Sequence, residues 1–343
     1  MSHEQIFYAN STYSTFCYLL QNLEKEPDAK SLIDKTLFIV GPAVKDIRVP
    51  DENKITFDEQ TPVQALNKMV YEKTGDKELP WYINARAQFA EHFIKTKKNV
   101  SIVSDGLSDH DTFPELVTFP NVKKCCSTTD ILGGFNHEKV ETFDVKNLWE
   151  GLSKEKKQAV SNIFNVSPEA LEKVSSRPVL LITQPVSEDN MMDESEKIEL
   201  YRRIIGQYGE ENVILKPHPR EKTNWNEIFP GMPVIPRQIP MELLSKMAKL
   251  ERVATFFSTA AFGTLPDDKV DFYAADFARL NSYHPDTLDS KGHRSLAVSD
   301  VEATYRPSKK CNWLRIPDKD GTFYRDVLDK KALWIQKCKT PSK

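Results

Sequence analysis

No apolar run of roughly eighteen residues or more, the length a membrane helix needs, occurs in the 343-residue chain. The opening MSHEQIFYAN has neither a basic n-region nor an apolar h-region, so the expectation is a cytoplasmic protein. Cysteine is sparse: Cys17, Cys125, Cys126, Cys311 and Cys338 make an odd count without CxxC spacing, which argues against a disulfide framework or a zinc ribbon and for reduced structural thiols. There is no excess of positive charge: 47 Lys and Arg against 50 Asp and Glu give −3, so nothing points to nucleic acid. Internal repeats and low-complexity tracts are absent as well. The basic C-terminal stretch KCKTPSK is open to two readings, a solvated tail or weak contact with the inner face of an anionic membrane.

What is present is the composition of a soluble globular protein, 39% hydrophobic and 28% charged, at about twice the length of an ordinary domain. Short apolar runs alternate with amphipathic segments, a pattern of α/β architecture. Strands are expected at 5–8, 36–40 and 100–103, and helices over 62–73 and 82–95. After a Lys-, Glu- and Ser-rich stretch at 148–176, read as helical connection and hinge, the pattern starts afresh. Strands are expected at 178–183, 213–216 and 252–257, and helices over 194–208 and 240–248. The pattern implies two α/β domains facing each other across a cleft, with ligands beyond the carboxyl ends of the strands.

Three stretches at such strand ends carry chemistry. In SIVSDGLSDHD, Gly106 permits a sharp turn after Asp105, whose carboxylate could take a proton from a sugar hydroxyl; a plain Asp-Gly turn is the other reading. Asp109, His110 and Asp111 also invite a metal reading, but no second His and carboxylate cluster lies at helical spacing to complete a site. In LLITQPVSED, Thr183 and Gln184 end a strand, and Ser187, Glu188 and Asp189 precede a helix, where they could equally serve as caps. In VILKPHPR, Pro217 and Pro219 restrict His218 at a strand end, with Lys216 and Arg220 adding positive charge. An imidazole held there can donate to a departing phosphate oxygen or be purely structural. Further on, Ser258 and Thr259 precede small residues that look like a helix start, a natural phosphate site. Glu242 falls in the first turn of a helix, where it could bind a ribose or simply complement the dipole.

In order and wording these residues resemble a bacterial sialyltransferase, most closely glycosyltransferase family 52, which includes lipooligosaccharide α-2,3-sialyltransferases. Ser104-Asp105-Gly106, His218-Pro219 and Ser258-Thr259 match the acidic-Asp-Gly, His-Pro and Ser/Thr motifs of these enzymes, although Ser104 replaces the first acid. FYANSTYSTFCYLL, TQPVSED and FFSTAAFGT extend the likeness over most of the chain.

The resemblance implies a GT-B fold of two Rossmann-like domains: an acceptor-side domain at 1–150, a connection at 151–176 and a CMP-sugar-binding domain at 177–343. It implies inverting, metal-independent transfer of N-acetylneuraminic acid from CMP-Neu5Ac to a terminal galactoside of a bacterial surface glycan, such as lipooligosaccharide or capsule, in α-2,3 linkage, with no cofactor. His218 would act on the departing phosphate, Ser258 and Thr259 would hold it, and Glu242 would hold the ribose. Gly106, Thr183, Gln184, Lys216 and Pro219 would contribute to substrate binding. The base would be Asp189, with Glu188 as a neighbouring alternative, or Asp105. A homodimer is implied too. The rivals are a polysialyltransferase or other-linkage sialyltransferase with the same donor, a metal-dependent phosphohydrolase using Asp105, Asp109, His110 and Asp111, and a noncatalytic glycan-binding protein.

Overall fold

Strand β1 (Gln5–Ala9) is buried along almost its whole length, as a strand covered on both faces must be. It is an interior strand of a wholly parallel sheet. The computed structural model describes residues 3–106, 109–128, 137–188, 193–256, 258–261, 264–265 and 269–272, without the side chains of His110, Asp111, Thr259 and Phe272. The chain forms two units, Met1–Ser167 and Pro168–Lys343.

In the first unit β2 (Thr36–Val40), β3 (Lys54–Thr56), β4 (Trp81–Asn84), β5 (Val100–Val103), β6 (Val122–Thr128) and β7 (Val140–Phe143) join β1 in the order β3-β2-β1-β4-β5-β6-β7. Every neighbouring pair is parallel. The order reverses between β1 and β4, the switch point beside which open parallel sheets bind ligands. Helix α1 (Thr12–Leu23) leaves β1 directly, capped by Ser11, whose side chain accepts from the Ser14 amide. A core of Tyr8, Ile39, Trp81, Ile83, Phe93 and Ile102 lies on one face of this sheet, and Phe7 stacks on Tyr18 of α1.

Two expectations change here. The helix expected over 82–95 is a strand followed by a turn and a helix: β4 takes Trp81–Asn84, Phe89 adopts a positive φ of 63°, and α4 (Ala90–Thr96) begins only there. The WYIN strand is short and apolar, so its residues join the neighbouring helical spacing by accident. The supposed connection at 151–176 is also divided. Residues up to Ser167 belong with the first unit, because Phe16 of α1 packs on Trp149 and Phe164, and Lys156 donates to the Leu23 and Glu26 carbonyls.

In the second unit β8 (Val179–Ile182), β9 (Val213–Lys216), β10 (Arg252–Thr255) and β11 (Val270–Phe272) form a parallel sheet ordered β11-β10-β8-β9. Its switch point lies between β8 and β10. Between β8 and β9 runs α9 (Glu194–Tyr208), opened by an Asp193–Glu196 capping box. Its buried stripe is Lys197, Leu200, Tyr201, Ile204 and Ile205, a spacing that is apolar except for one lysine.

Candidate functional site

At the carboxyl ends of β4 and β5 the first unit gathers polar groups around the amino end of α1. Ser14 Oγ lies within donating distance of the Ser104 carbonyl, 2.8 Å, and of Asp105 Oδ1, 3.1 Å, and it accepts from Asn84 Nδ2 at 2.8 Å. Burial pushes the Asp105 carboxyl above the usual range, while Ser11, Ser14, Asn84 and the Arg86 charge pull partly the other way. A half-buried carboxylate with a raised pKa is a better base than a solvated one. Gly106 has φ 75°, the left-handed conformation its turn was expected to need.

The absence of an acid at position 104 has a structural counterpart in Asp109, the first residue of α5 (Asp109–Leu116). Asp109 is buried and accepts from Ser104 Oγ at 2.6 Å, Ser127 Oγ at 2.8 Å and the Asp105 amide at 2.9 Å. Burial raises its carboxyl to about 7. These three bonds engage both of its oxygens and tie the loop after β5 to β6. Among the described residues no group of three metal-ligating side chains comes together.

In the second unit, the ends of β8 and β9 converge on Glu221. Its Oε2 accepts from the His218 amide at 2.7 Å and from Thr183 Oγ1, while its Oε1 pairs with Lys197 at 3.0 Å. The His218 ring is fixed in turn: Nδ1 accepts from the Arg220 amide at 3.2 Å, which leaves the neutral ring's proton on Nε2. His218 and Pro219 are half-buried.

Lys216 occupies a different position from an open phosphate ligand. Only 4% exposed, it donates to the Pro217 carbonyl at 2.9 Å and the Arg237 carbonyl at 3.0 Å, and desolvation lowers its pKa to about 8. Gln184 is buried with its backbone amide donating to Tyr201 Oη at 2.7 Å. Glu188 is a poor base. Partial burial pushes its carboxyl upward, but the Lys222 amide and the Lys197 ammonium outweigh that and hold it at about 2.

Asp189 lies outside the described residues, as does the Thr259 side chain. Ser258 is buried, and its amide donates at 2.9 Å to Thr255 Oγ1, itself bonded to the Ile182 carbonyl. This stitches β8 to β10 at the switch point. Among the described residues the next element is a short 3-10 turn, Thr259–Ala261, where the sequence suggested a helix start. Glu242 sits, half-buried, in the first turn of α11 (Met241–Met247), and its charge bears on Lys216.

The sequence reading passed over Glu221 and Lys197. A lysine on the apolar stripe of α9, and an acid three residues beyond His218, were the available signals. It also missed Asn84, hidden by the misread β4.

All of the second-unit groups fall within residues 126–277, the stretch that matches the sequence model of glycosyltransferase family 52. Asp105 and Asp109 precede the matched stretch. An uncharacterized protein of Haemophilus influenzae is 36% identical over 184 residues, 53% of this chain and 58% of the relative, so the chain spans under two thirds of that curated relative's length. Solved structures with some likeness include S. aureus MnaA with UDP, at 13% identity, TM-score 0.39, and coverage of 76% of this chain and 75% of that one. The UDP-GlcNAc 2-epimerase of Methanocaldococcus jannaschii is 15% identical, with TM-score 0.41 and coverage of 87% and 89%. Likenesses this distant carry no weight for function. No helix among the described residues is long and apolar enough to cross a membrane.

Proposed function

We propose that this chain is an inverting sialyltransferase that moves N-acetylneuraminic acid from CMP-Neu5Ac to a terminal galactoside of a bacterial surface glycan, in α-2,3 linkage and without metal, its two units forming a GT-B enzyme. The observation that carries this reading is the family 52 match across the segments that hold His218, Glu242 and Ser258. In the reaction the acceptor hydroxyl gives its proton to a carboxylate, its oxygen bonds to the anomeric carbon, and the bond from that carbon to the phosphate oxygen breaks. His218 Nε2–H is the donor to the departing phosphate oxygen, a role supported by the Arg220 amide's hold on Nδ1. Ser258 lies at the switch point where a phosphate would rest, and Glu242 is the proposed ribose ligand.

For the base, Asp189 lies inside the family stretch, whereas Asp105 has the raised pKa and the serine and asparagine donors described above. The deciding comparison is Asp105→Asn against Asp189→Asn, with turnover and CMP affinity measured for both. The base variant should lose most of its turnover and keep its affinity for CMP. Equal, mild losses would exclude both residues. The whole reading is tested by CMP release from CMP-Neu5Ac in EDTA, with and without lactose. Acceptor-stimulated release with a sialyl-lactose product is expected. Failure to release or bind CMP would overturn the donor assignment.

A further inference from the structure

We infer that the buried Lys197–Glu221 pair is a positioning device that fixes the rotation and tautomer of His218, an inference that rests on the transferase reading for its catalytic consequence only. Both side chains are fully buried, at 0% exposure. A buried ion pair is expensive, since apolar residues of the same volume usually serve stability as well or better. Its arrangement here offers something an apolar pair cannot. Glu221 Oε2 takes the His218 amide at 2.7 Å, and the Glu221 amide returns a bond to the His218 carbonyl at 3.1 Å, closing the turn from both ends. Inside that closed turn the Arg220 amide meets His218 Nδ1 at 3.2 Å. The carboxylate therefore fixes the backbone whose Arg220 amide selects the tautomer.

Lys197 extends the hold to the neighbouring strand end. Besides Glu221, its ammonium meets Glu188 Oε2 at 2.9 Å, and Glu188 Oε1 accepts from the Lys222 amide at 2.5 Å. Thr183 Oγ1, at the end of β8, donates to the same Glu221 oxygen that holds the His218 amide. One lysine on α9 thus ties the loop after β8 to the loop after β9. Arg237 completes the frame through the Glu221 and Thr223 carbonyls. None of these side chains needs to touch substrate, so Lys197 and Glu221 are positioning residues and His218 is the group they serve.

The test uses the full chain and removes both charges of the pair at once, leaving Glu188 its bond from the Lys222 amide, by comparing wild type with Lys197→Met/Glu221→Gln, and with Lys197→Arg as the conservative variant. Long-range ¹H–¹⁵N spectra of the imidazoles, with the His218 signal assigned through His218→Ala, read the tautomer directly. Wild type and Lys197→Arg should show a single Nε2–H form, and the double variant a mixture of tautomers. In CMP-Neu5Ac turnover the double variant should lose about a hundredfold in kcat, the scale expected for a reacting group displaced by about 1 Å, with KM altered only a few-fold. A double variant that folds and keeps both the single tautomer and wild-type kcat would overturn the inference. If wild type itself turns over no CMP-Neu5Ac, the transferase reading falls, while the tautomer spectra still decide the positioning claim.

Discussion

Asp109 shows how far one buried side chain can couple this protein to pH. Its carboxyl is raised to about 7 by burial, well above an ordinary aspartate. Between about pH 4 and 7 the folded state therefore binds a proton that the unfolded state has released, and stability falls as pH rises through that window. Asp109→Asn removes the titration, and its amide can still face the Ser104 and Ser127 hydroxyls and the Asp105 amide. Urea unfolding from pH 4 to 8 should show a flatter stability slope for this variant than for wild type. Asp109→Ala should instead cost about 1–3 kcal/mol, because it strands buried donors. This role was only half legible in the sequence. Asp109 stood out there as an acid near Asp105 and His110, but its hydroxyl partner Ser127 is distant in sequence and meets it only through β6. Glu221 and Lys197 escaped notice for the same reason: their meaning lies in partners on other elements.

At the scale of elements, α1 presents its amino end to Asp105. Ser11→Ala deletes the cap and should cost about 1 kcal/mol in thermal or urea unfolding, while raising the Asp105 pKa by removing one of its donors. Gly106→Ala forces a side chain into φ 75°, with only ordinary contacts to Tyr13 at 3.6 Å, so its cost is backbone strain of roughly 1–2 kcal/mol. Turnover in that variant should fall further than stability alone explains if Asp105 is the base. The sequence revealed elements best where apolar runs stood alone: β2, β5, α9 and β9 fall at the expected residues. It failed at β4, a four-residue strand running into a left-handed turn at Phe89, where strand and helix periods overlap. That miss concealed the switch point, since β4 lies beside β1.

Among the described residues, one hydrophobic core gathers around Tyr8 and Trp81 in the first unit and another around Leu200 and Trp225 in the second. Denaturation should therefore resolve two steps. CMP at about a hundredfold excess over its Kd should stabilise the step reported by burial of Trp225 by about 2.7 kcal/mol, and leave the step reported by Trp81 and Trp149 in place. A common shift of both steps would mean the cores unfold as one. Two α/β halves were legible from the restarting strand pattern. Their boundary was not, because Trp149 and Phe164 look like connector residues until Phe16 is seen between them. The contiguity of the two sheets has one more consequence. Every strand of the first sheet pairs with neighbours drawn from residues 5–143, and the second sheet begins only at Val179. A chain leaving the ribosome can complete one sheet before the other is synthesised, so two sets of unpaired strand edges need not be open to other nascent chains at the same time.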